Sequence, residues 1–370
     1  MSSSDRLREM IPIAKPIIGE DEIAAVEAVL RSGQLAQGKK VEELEQAFAS
    51  YIGTKYAIAV NSGTAALHIA LLAHGIGQGD EVITSPFTFI ASANSVLFTG
   101  AKPVFADIEE ETFNIAPASV ARKITRRTKA IMPVHLYGQP CDMREIMRIA
   151  DKHKLLVVED ACQAHGADYD GKKVGSFSTG CFSFYPTKNM TTGEGGMITT
   201  DDTDIAEKAR MIRSHGQKQR YFHEILGYNY RMTDMAAAIG LCQLGKLEQR
   251  NHQRIGNAGF LSDKLSGIKG LVTPVIKSNV RHVFHQYTVR VTRGFGASRD
   301  ELKRKLLDKG IGTEVYYPLP VHKQPFYLKV GYDDHLPVSE KASEEVLSLP
   351  VHPSLTREEL ENIVRAIEGI

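Results

Sequence analysis

The sequence predicts a wound, mostly parallel α/β sheet over most of its length and a smaller α+β unit at its C-terminal end. Three observations lead there. From about residue 56, short β-rich runs alternate with helical runs, the pattern of strands joined by crossover helices. Beyond about residue 250 that texture gives way to a looser mixture of strand and helix. The chain also has 370 residues, more than the about 250–300 that one compact core usually holds. These set expected domains of 1–250 and 251–370.

Taken in order, residues 20–31 and 40–51 carry apolar side chains at helical spacing. The expected strands are Tyr56–Val60, Glu81–Thr84, Pro103–Ala106, Ala130–Val134, Leu155–Val158, Cys181–Tyr185 and Met197–Thr200. Between them lie helical runs at Thr64–Ala73, Ala91–Leu97 and Met143–His153. A long helix is expected after Met232, to about Leu265. The last part offers a strand at His285–Val291, a helix at Arg299–Lys309 and a closing helix at Thr356–Ile370. A wound sheet places its ligand at the carboxyl ends of its strands, so candidate chemistry is sought there.

Composition narrows the function class. With 45 basic and 44 acidic residues the net charge is +1. So even a balance gives no electrostatic footprint for nucleic acid or an anionic membrane. Acidic ligands must be caught by a local site. Cys141, Cys162, Cys181 and Cys242 have neither CxxC nor zinc-finger spacing, so reduced thiols and no metal are expected. No apolar run reaches signal-peptide or membrane-span length, and a cytoplasmic protein is expected. Asn189-Met190-Thr191 matches a glycosylation sequon, which reads as coincidence in such a chain.

Four strand ends carry residues with chemical potential. Val60-Asn61-Ser62-Gly63-Thr64 passes from strand to helix on small polar residues. A helix start offers free N–H groups and partial positive charge to a phosphate, although a plain Ser or Thr cap would look the same. Leu155–Asp160 is an apolar strand ending in two carboxylates. Alternation sends Glu159 and Asp160 to opposite faces, so only one can serve a given site. Such an aspartate could bind a metal, activate a water, pair with a protonated ring nitrogen, or cap the next helix. Lys188 follows the strand end Phe182-Ser183-Phe184-Tyr185-Pro186, 28 residues after Asp160. Most lysines are solvated charges; this one has apolar and aromatic neighbours that could lower its pKa and make it nucleophilic. Thr191–Gly196 is glycine-rich but has neither a P-loop ending nor GxGxxG.

One chemistry uses all of these. Pyridoxal phosphate needs an amine, a carboxylate for its ring nitrogen and a phosphate cup. Lys188, Asp160 and the Ser62–Thr64 turn supply one each.

At these residues the sequence resembles the DegT/StrS sugar-nucleotide aminotransferases, which have the aspartate-aminotransferase fold (fold type I of the pyridoxal-phosphate enzymes). The resemblance rests on NSGTAALHIAL, SPFTFIASANSV, AKPVFADI, VVEDACQAHGA, CFSFYPTKNMTTGEGGMITT and GYNYRMTDMAAAIGLCQL. It implies that Lys188 carries the cofactor as a Schiff base and shuttles a proton, and that Asp160 partners the ring nitrogen. Gln163 would lie near the ring and its hydroxyl, and Phe89 would stack on the ring. Gly63, Thr64 and Ser183 would cradle the phosphate. Asn229 would reach the phosphate of the neighbouring subunit's cofactor, which implies a homodimer with shared sites. Tyr317 and His322 fall in a stretch similar to the family's substrate-side loop, although Lys323 alters its spacing. The implied reaction moves an amino group from an amino acid, by resemblance glutamate, to a nucleotide-linked keto sugar. The stretch Thr191–Gly196 resembles that of enzymes acting on 4-keto sugars. Alternatives are transfer to a cyclitol ketone, sugar dehydration (disfavoured because Lys188 is retained), or a regulatory relative without catalysis. Arg213, His215, Arg220 and His223 form a mildly basic stretch that could meet a nucleotide diphosphate or simply be a solvated loop.

Overall fold

The computed structural model describes residues 10–370. At its centre is a seven-stranded sheet of β1 Tyr56–Val60, β2 Glu81–Thr84, β3 Lys102–Phe105, β4 Thr128–Met132, β5 Leu156–Asp160, β6 Thr179–Ser183 and β7 Gly196–Thr200. Their order across the sheet is β1-β7-β6-β5-β4-β2-β3. All neighbours are parallel except β7, which runs against both β1 and β6. The exception follows from the connection. Residues 184–195 hold no crossover helix, and a chain returning to its neighbour without one must pair antiparallel. That helix-free connection carries Lys188.

Helices cover both faces, and the central strands are accordingly buried along nearly their whole length rather than on alternate residues. Among the described residues, the first seven α-helices are α1 Glu20–Ser32, α2 Lys39–Ile52, α3 Gly63–Ala73, α4 Ala91–Phe98, α5 Pro117–Lys123, α6 Met143–His153 and α7 Thr203–Arg213. Helix α3 is buried on nearly every side, which explains its run of Ala, Leu and Ile. Helix α6 is amphipathic and buries Met143, Ile146, Ile149 and Ala150.

The long helix α8, Asp234–Leu265, starts at Thr233, whose hydroxyl accepts from the Ala236 N–H at 3.2 Å. Its Ala237 and Leu247 pack with Phe48, Phe182 and Phe184. Its Ala258, Leu261 and Leu265 join a second core with Tyr287, Val289, Leu347 and Ile363. Position 250 thus lies inside one continuous helix that serves both cores. Beyond it, β8 Leu271–Val272, β9 Tyr287–Val291 and β10 Val346–Leu349 form an antiparallel sheet. Helices α9 Arg299–Asp308, α10 Pro337–Glu345 and α11 Arg357–Glu368 accompany it. Ile11 bridges in parallel to Ile311, so the start of the described chain is tied to this C-terminal part. No described helix is long and apolar enough to cross a membrane.

Candidate active site

Strand β5 ends in the two carboxylates, and they part as alternation requires. Glu159 turns to one face, where it accepts from His135 Nε2 at 3.1 Å and from the N–H groups of Gly175, Phe177 and Ser178 at 2.8, 2.9 and 3.1 Å. Asp160 turns to the other. It accepts from the Ser92 hydroxyl at 2.7 Å and the Cys162 N–H at 3.2 Å. Asp160 is buried, yet no ion pair among the described residues includes it. A buried carboxylate with hydroxyl and amide donors but no cation suits a ligand that brings its own positive charge.

Past β6 the chain enters the loop that holds Lys188, and this loop is clamped on both sides. The Lys188 N–H donates to the Tyr185 carbonyl at 3.0 Å. Asn189 Nδ2 donates to Asn251 Oδ1 at 2.8 Å and to the Val283 carbonyl at 3.0 Å. The Thr191 hydroxyl donates back to the Phe184 carbonyl at 2.9 Å. Buried in this way, Asn189 has a structural task unrelated to the sequon. Lys188 Nζ donates to His285 Nε2 at 3.5 Å. Burial lowers the lysine's pKa, while Cys162 and Asp160 oppose the shift. His285 is pushed well down by burial and by the charges of Lys188 and Arg254, which keeps its imidazole neutral and able to accept.

The phosphate-ready turn lies against the same loop. Ser62 caps α3 by accepting from the Ala65 N–H at 3.1 Å, and Thr64 follows half-buried. Gly63 is required by space: a Cβ there would stand 2.6 Å from Ser183 Cβ and 3.1 Å from Cys162 Sγ. The helix start, Ser183 and the Asp160–Cys162 turn therefore converge. Asn229 is exposed and bridges to Ser214. Next to it, the Tyr230 carbonyl accepts from the Asn61 N–H at 2.9 Å, which holds this segment beside the turn.

Phe89 is 57% exposed and tilted against Tyr317, with ring centroids 6.4 Å apart. Gln163 Nε2 donates to the Tyr317 hydroxyl at 3.1 Å, and its Oε1 accepts from the Tyr137 N–H at 2.9 Å. Tyr317 thus faces the Gln163 side of the site. His322 does not join this group. It is buried against Phe105, and its Nε2 meets Glu340 Oε1 at 3.2 Å. Those are the contacts of a packing residue. Arg213 departs from both sequence readings: it is 4% exposed, pairs with Glu45 at 2.6 Å and donates to the Ala59 carbonyl at 2.8 Å. His215, Arg220 and His223 are exposed.

Sequence reasoning missed Ser92, His285 and Arg254. Ser92 lies in a stretch used for the family resemblance, but no spacing marks it as Asp160's donor. His285 was expected to begin a strand, yet it lies just before β9 and turns toward Lys188. Among the described residues no group of three or more His, Cys, Asp or Glu side chains is placed to hold a metal ion.

The parts present fit pyridoxal phosphate. An amine of lowered pKa, a buried carboxylate without a counter-ion and a crowded glycine at a helix start occupy adjoining strand ends. Such a site on a wound sheet defines a pyridoxal-phosphate enzyme of fold type I. Residues 16–368 match the DegT/DnrJ/EryC1/StrS aminotransferase family, and the chain belongs to it. It is 47% identical to a pleiotropic regulatory protein of Geobacillus stearothermophilus, over 92% of both chains. It is 46% identical to GDP-perosamine synthase of Caulobacter vibrioides, over 90% of both. Among solved structures it resembles DesV of S. venezuelae in complex with a ketimine intermediate. There the TM-score is 0.92 and the identity 39%, covering 97% of this chain and 98% of that one. The protein is therefore a pyridoxal-phosphate-dependent aminotransferase.

Proposed function

We propose that this aminotransferase moves an amino group from an amino acid, glutamate, to a nucleotide-linked keto sugar of the 4-keto-6-deoxy type. The observation that carries the substrate class is the 46% identity to GDP-perosamine synthase over nine-tenths of both chains. The 4-keto assignment rests on the resemblance of the stretch Thr191–Gly196 to that of enzymes acting on 4-keto sugars.

Bound pyridoxal phosphate supplies an electron sink and carries the amino group between the two substrates. The chain supplies the rest. Lys188 would hold the cofactor through its Nζ and, once released, would take and return a proton at the substrate carbon. Its lowered pKa keeps a share of that nitrogen neutral and basic. Asp160 holds the proton on the ring nitrogen, and Ser92 fixes the carboxylate's orientation. Phe89 would stack on the bound ring, and Gln163 would lie on the side of its hydroxyl. Gly63, Thr64 and Ser183 take the phosphate at the start of α3. Tyr317 stands on the substrate side, and His322 supports its loop from behind. Binding of the nucleotide, remote from the reacting carbon, helps to orient it.

Asn229 serves the neighbouring subunit's site, so the working form is a homodimer, in the cytoplasm. Its exposure supports this. So do exposed apolar residues on the nearby hairpin segment, Tyr221, Phe222 and Leu226, which a monomer would leave in water. Incubation with glutamate and a panel of nucleotide keto sugars tests the proposal. Release of 2-oxoglutarate beyond one equivalent per site is expected with a 4-keto sugar, and such turnover only with a cyclitol ketone, or with none of the keto sugars, counts against it.

A further inference from the structure

We infer that His285 is the positioning residue for Lys188: its imidazole accepts from Nζ whenever that nitrogen is free of the cofactor, and steadies it between the two carbons that exchange the proton. The inference rests on the reading that Lys188 is the reacting amine, and deepens it by naming what aims that amine. A lysine stem is long and flexible, so a shuttle that must serve two carbons needs a fixed point to return to. Among the described side chains, His285 is the one within hydrogen-bond reach of Nζ, at 3.5 Å.

The backbone around His285 is held from several sides. The Val283 N–H donates to the Gly138 carbonyl at 3.0 Å, and the Gln286 N–H to the Tyr137 carbonyl at 3.2 Å. Gly138 comes so close that a Cβ there would stand 2.9 Å from the His285 nitrogen. Arg254 Nη1 donates to the Phe284 and His285 carbonyls at 3.2 and 3.4 Å. Asn189, next to Lys188, donates to the Val283 carbonyl, so the lysine's loop and the histidine's segment are tied together. Phe284 adopts a φ of 45°, in the left-handed region that a bulky residue rarely enters. His282 stacks on its ring and accepts from its N–H at 3.0 Å through Nδ1. Strain of this kind persists only where the surroundings impose it, and it gathers at functional sites. Here it sets the direction in which His285 leaves the chain.

The ring makes no other side-chain bond. His285 is 5% exposed, and its buried Nδ1 has no partner among the described residues. A purely structural role would be met as well by an apolar ring, with no buried polar atom left over. Lys188, Arg254 and His165 face the imidazole, and the two cations add to burial in holding it neutral. Cys162 and Asp160 act on Nζ from the other side, through charge. When Nζ takes a proton from a substrate carbon, the electron pair of that C–H bond passes to the bound cofactor, and Nζ becomes an ammonium. The neutral imidazole accepts from that ammonium without taking its proton. Nζ then gives the proton to the second carbon and ends as the amine, so nothing is consumed.

The test compares the parent with His285→Phe and His285→Gln, since a glutamine amide can reach the place of Nε2. Full-length protein freed of cofactor is labelled with acetic anhydride across pH, and mass mapping follows the peptide containing Lys188. The imidazole favours the charged form of Nζ. Its loss should therefore move the Lys188 midpoint down by about one pH unit in His285→Phe, with His285→Gln near the parent. Asp160, Cys162, His165 and Arg254 are the same in all three proteins, so the difference belongs to the ring. With cofactor restored, the rate at saturating glutamate, read as loss of the visible band, should fall about 10–10²-fold in His285→Phe at unchanged KM. His285→Gln should fall less. The acceptor half-reaction, started from the amine form of the cofactor with a keto sugar, should fall by the same factor, because one proton shuttle serves both halves. Glutamate deuterated at its α-carbon should show a larger isotope effect in His285→Phe than in the parent. A loss in one half only, or a raised KM as the main effect, would mean substrate binding. Equal losses in both variants would mean packing. Either result overturns the inference, and so does an unmoved Lys188 midpoint. Should His285→Phe fail to fold, His285→Asn, whose amide stops short of Nζ, takes its place against His285→Gln. The labelling arm needs neither cofactor nor substrate, so its outcome is separate from that of the transaminase reading, which fails if the parent forms no visible band.

Discussion

Glu159 and Asp160 are neighbours in sequence and face opposite sides of the sheet. Glu159 is closed off by four donors, three of them backbone N–H groups, whereas Asp160 keeps two and faces the Lys188 side. Substitutions should separate their roles. Asp160→Asn should fold with a Tm near that of the parent while kcat falls by about 10²–10³-fold, since a charge aimed at the cofactor is lost. Glu159→Gln should cost roughly 2–4 kcal/mol of stability, because backbone donors lose their anion in a buried place. Thermal unfolding and single-turnover rates, measured side by side, check the pair. The opposite assignment of effects would contradict this geometry.

Gly63 meets Ser183 too closely to accept a side chain. Gly63→Ala should destabilise the protein by about 1–3 kcal/mol through overpacking and weaken cofactor retention, read as a raised apparent Kd for pyridoxal phosphate. Gly245, where an added Cβ meets nothing, gives the control: Gly245→Ala should leave cofactor affinity intact.

Acid should unfold this protein by way of buried histidines. His165, set between Phe182 and Phe184, and His282, stacked on Phe284, are both pushed down to about 3, first by burial. Above pH 6.5 both states leave these rings neutral and stability is unaffected. Between about pH 6.5 and 3 the unfolded chain takes up protons that the folded chain refuses, so stability falls as pH drops. Each ring contributes up to about 1.4 kcal/mol per pH unit in that window. His165→Phe should flatten the acid limb of a Tm-against-pH curve, and an unchanged slope would remove His165 from the account.

Arg213 sits inside the fold, paired with Glu45 and the Ala59 carbonyl. Removing one partner of a buried pair leaves the other charge stranded, so Arg213→Ala should cost about 3–5 kcal/mol in denaturant unfolding. Had Arg213 met the nucleotide, the variant would instead raise KM for the sugar substrate at unchanged stability.

Much of this architecture is legible in the sequence. Strands buried on both faces announce themselves as apolar runs, and Ser62, Pro186 and the glycines mark where those runs stop. Period-two alternation separated Glu159 from Asp160. What could not be read depended on approach between distant segments. Ser92 reaches Asp160, and His285 reaches Lys188, only because α4 and the start of β9 pack against particular strand ends. The reversal of β7 was hidden because its residues are buried throughout, like those of the sheet's parallel strands. Arg213 looked like part of a basic surface because nothing local reveals that Glu45 lies across the core from it. His322 looked like a substrate contact because its stretch resembles the family's substrate-side loop; in the fold it packs against Phe105 and meets Glu340.

The central claim is that Lys188 carries the cofactor. Protein reconstituted with pyridoxal phosphate should show a visible band that borohydride abolishes, and mass mapping should place the reduced adduct on the peptide containing Lys188. Lys188→Ala should show neither band nor adduct. An adduct on another lysine, or an unaltered band in Lys188→Ala, would contradict the account.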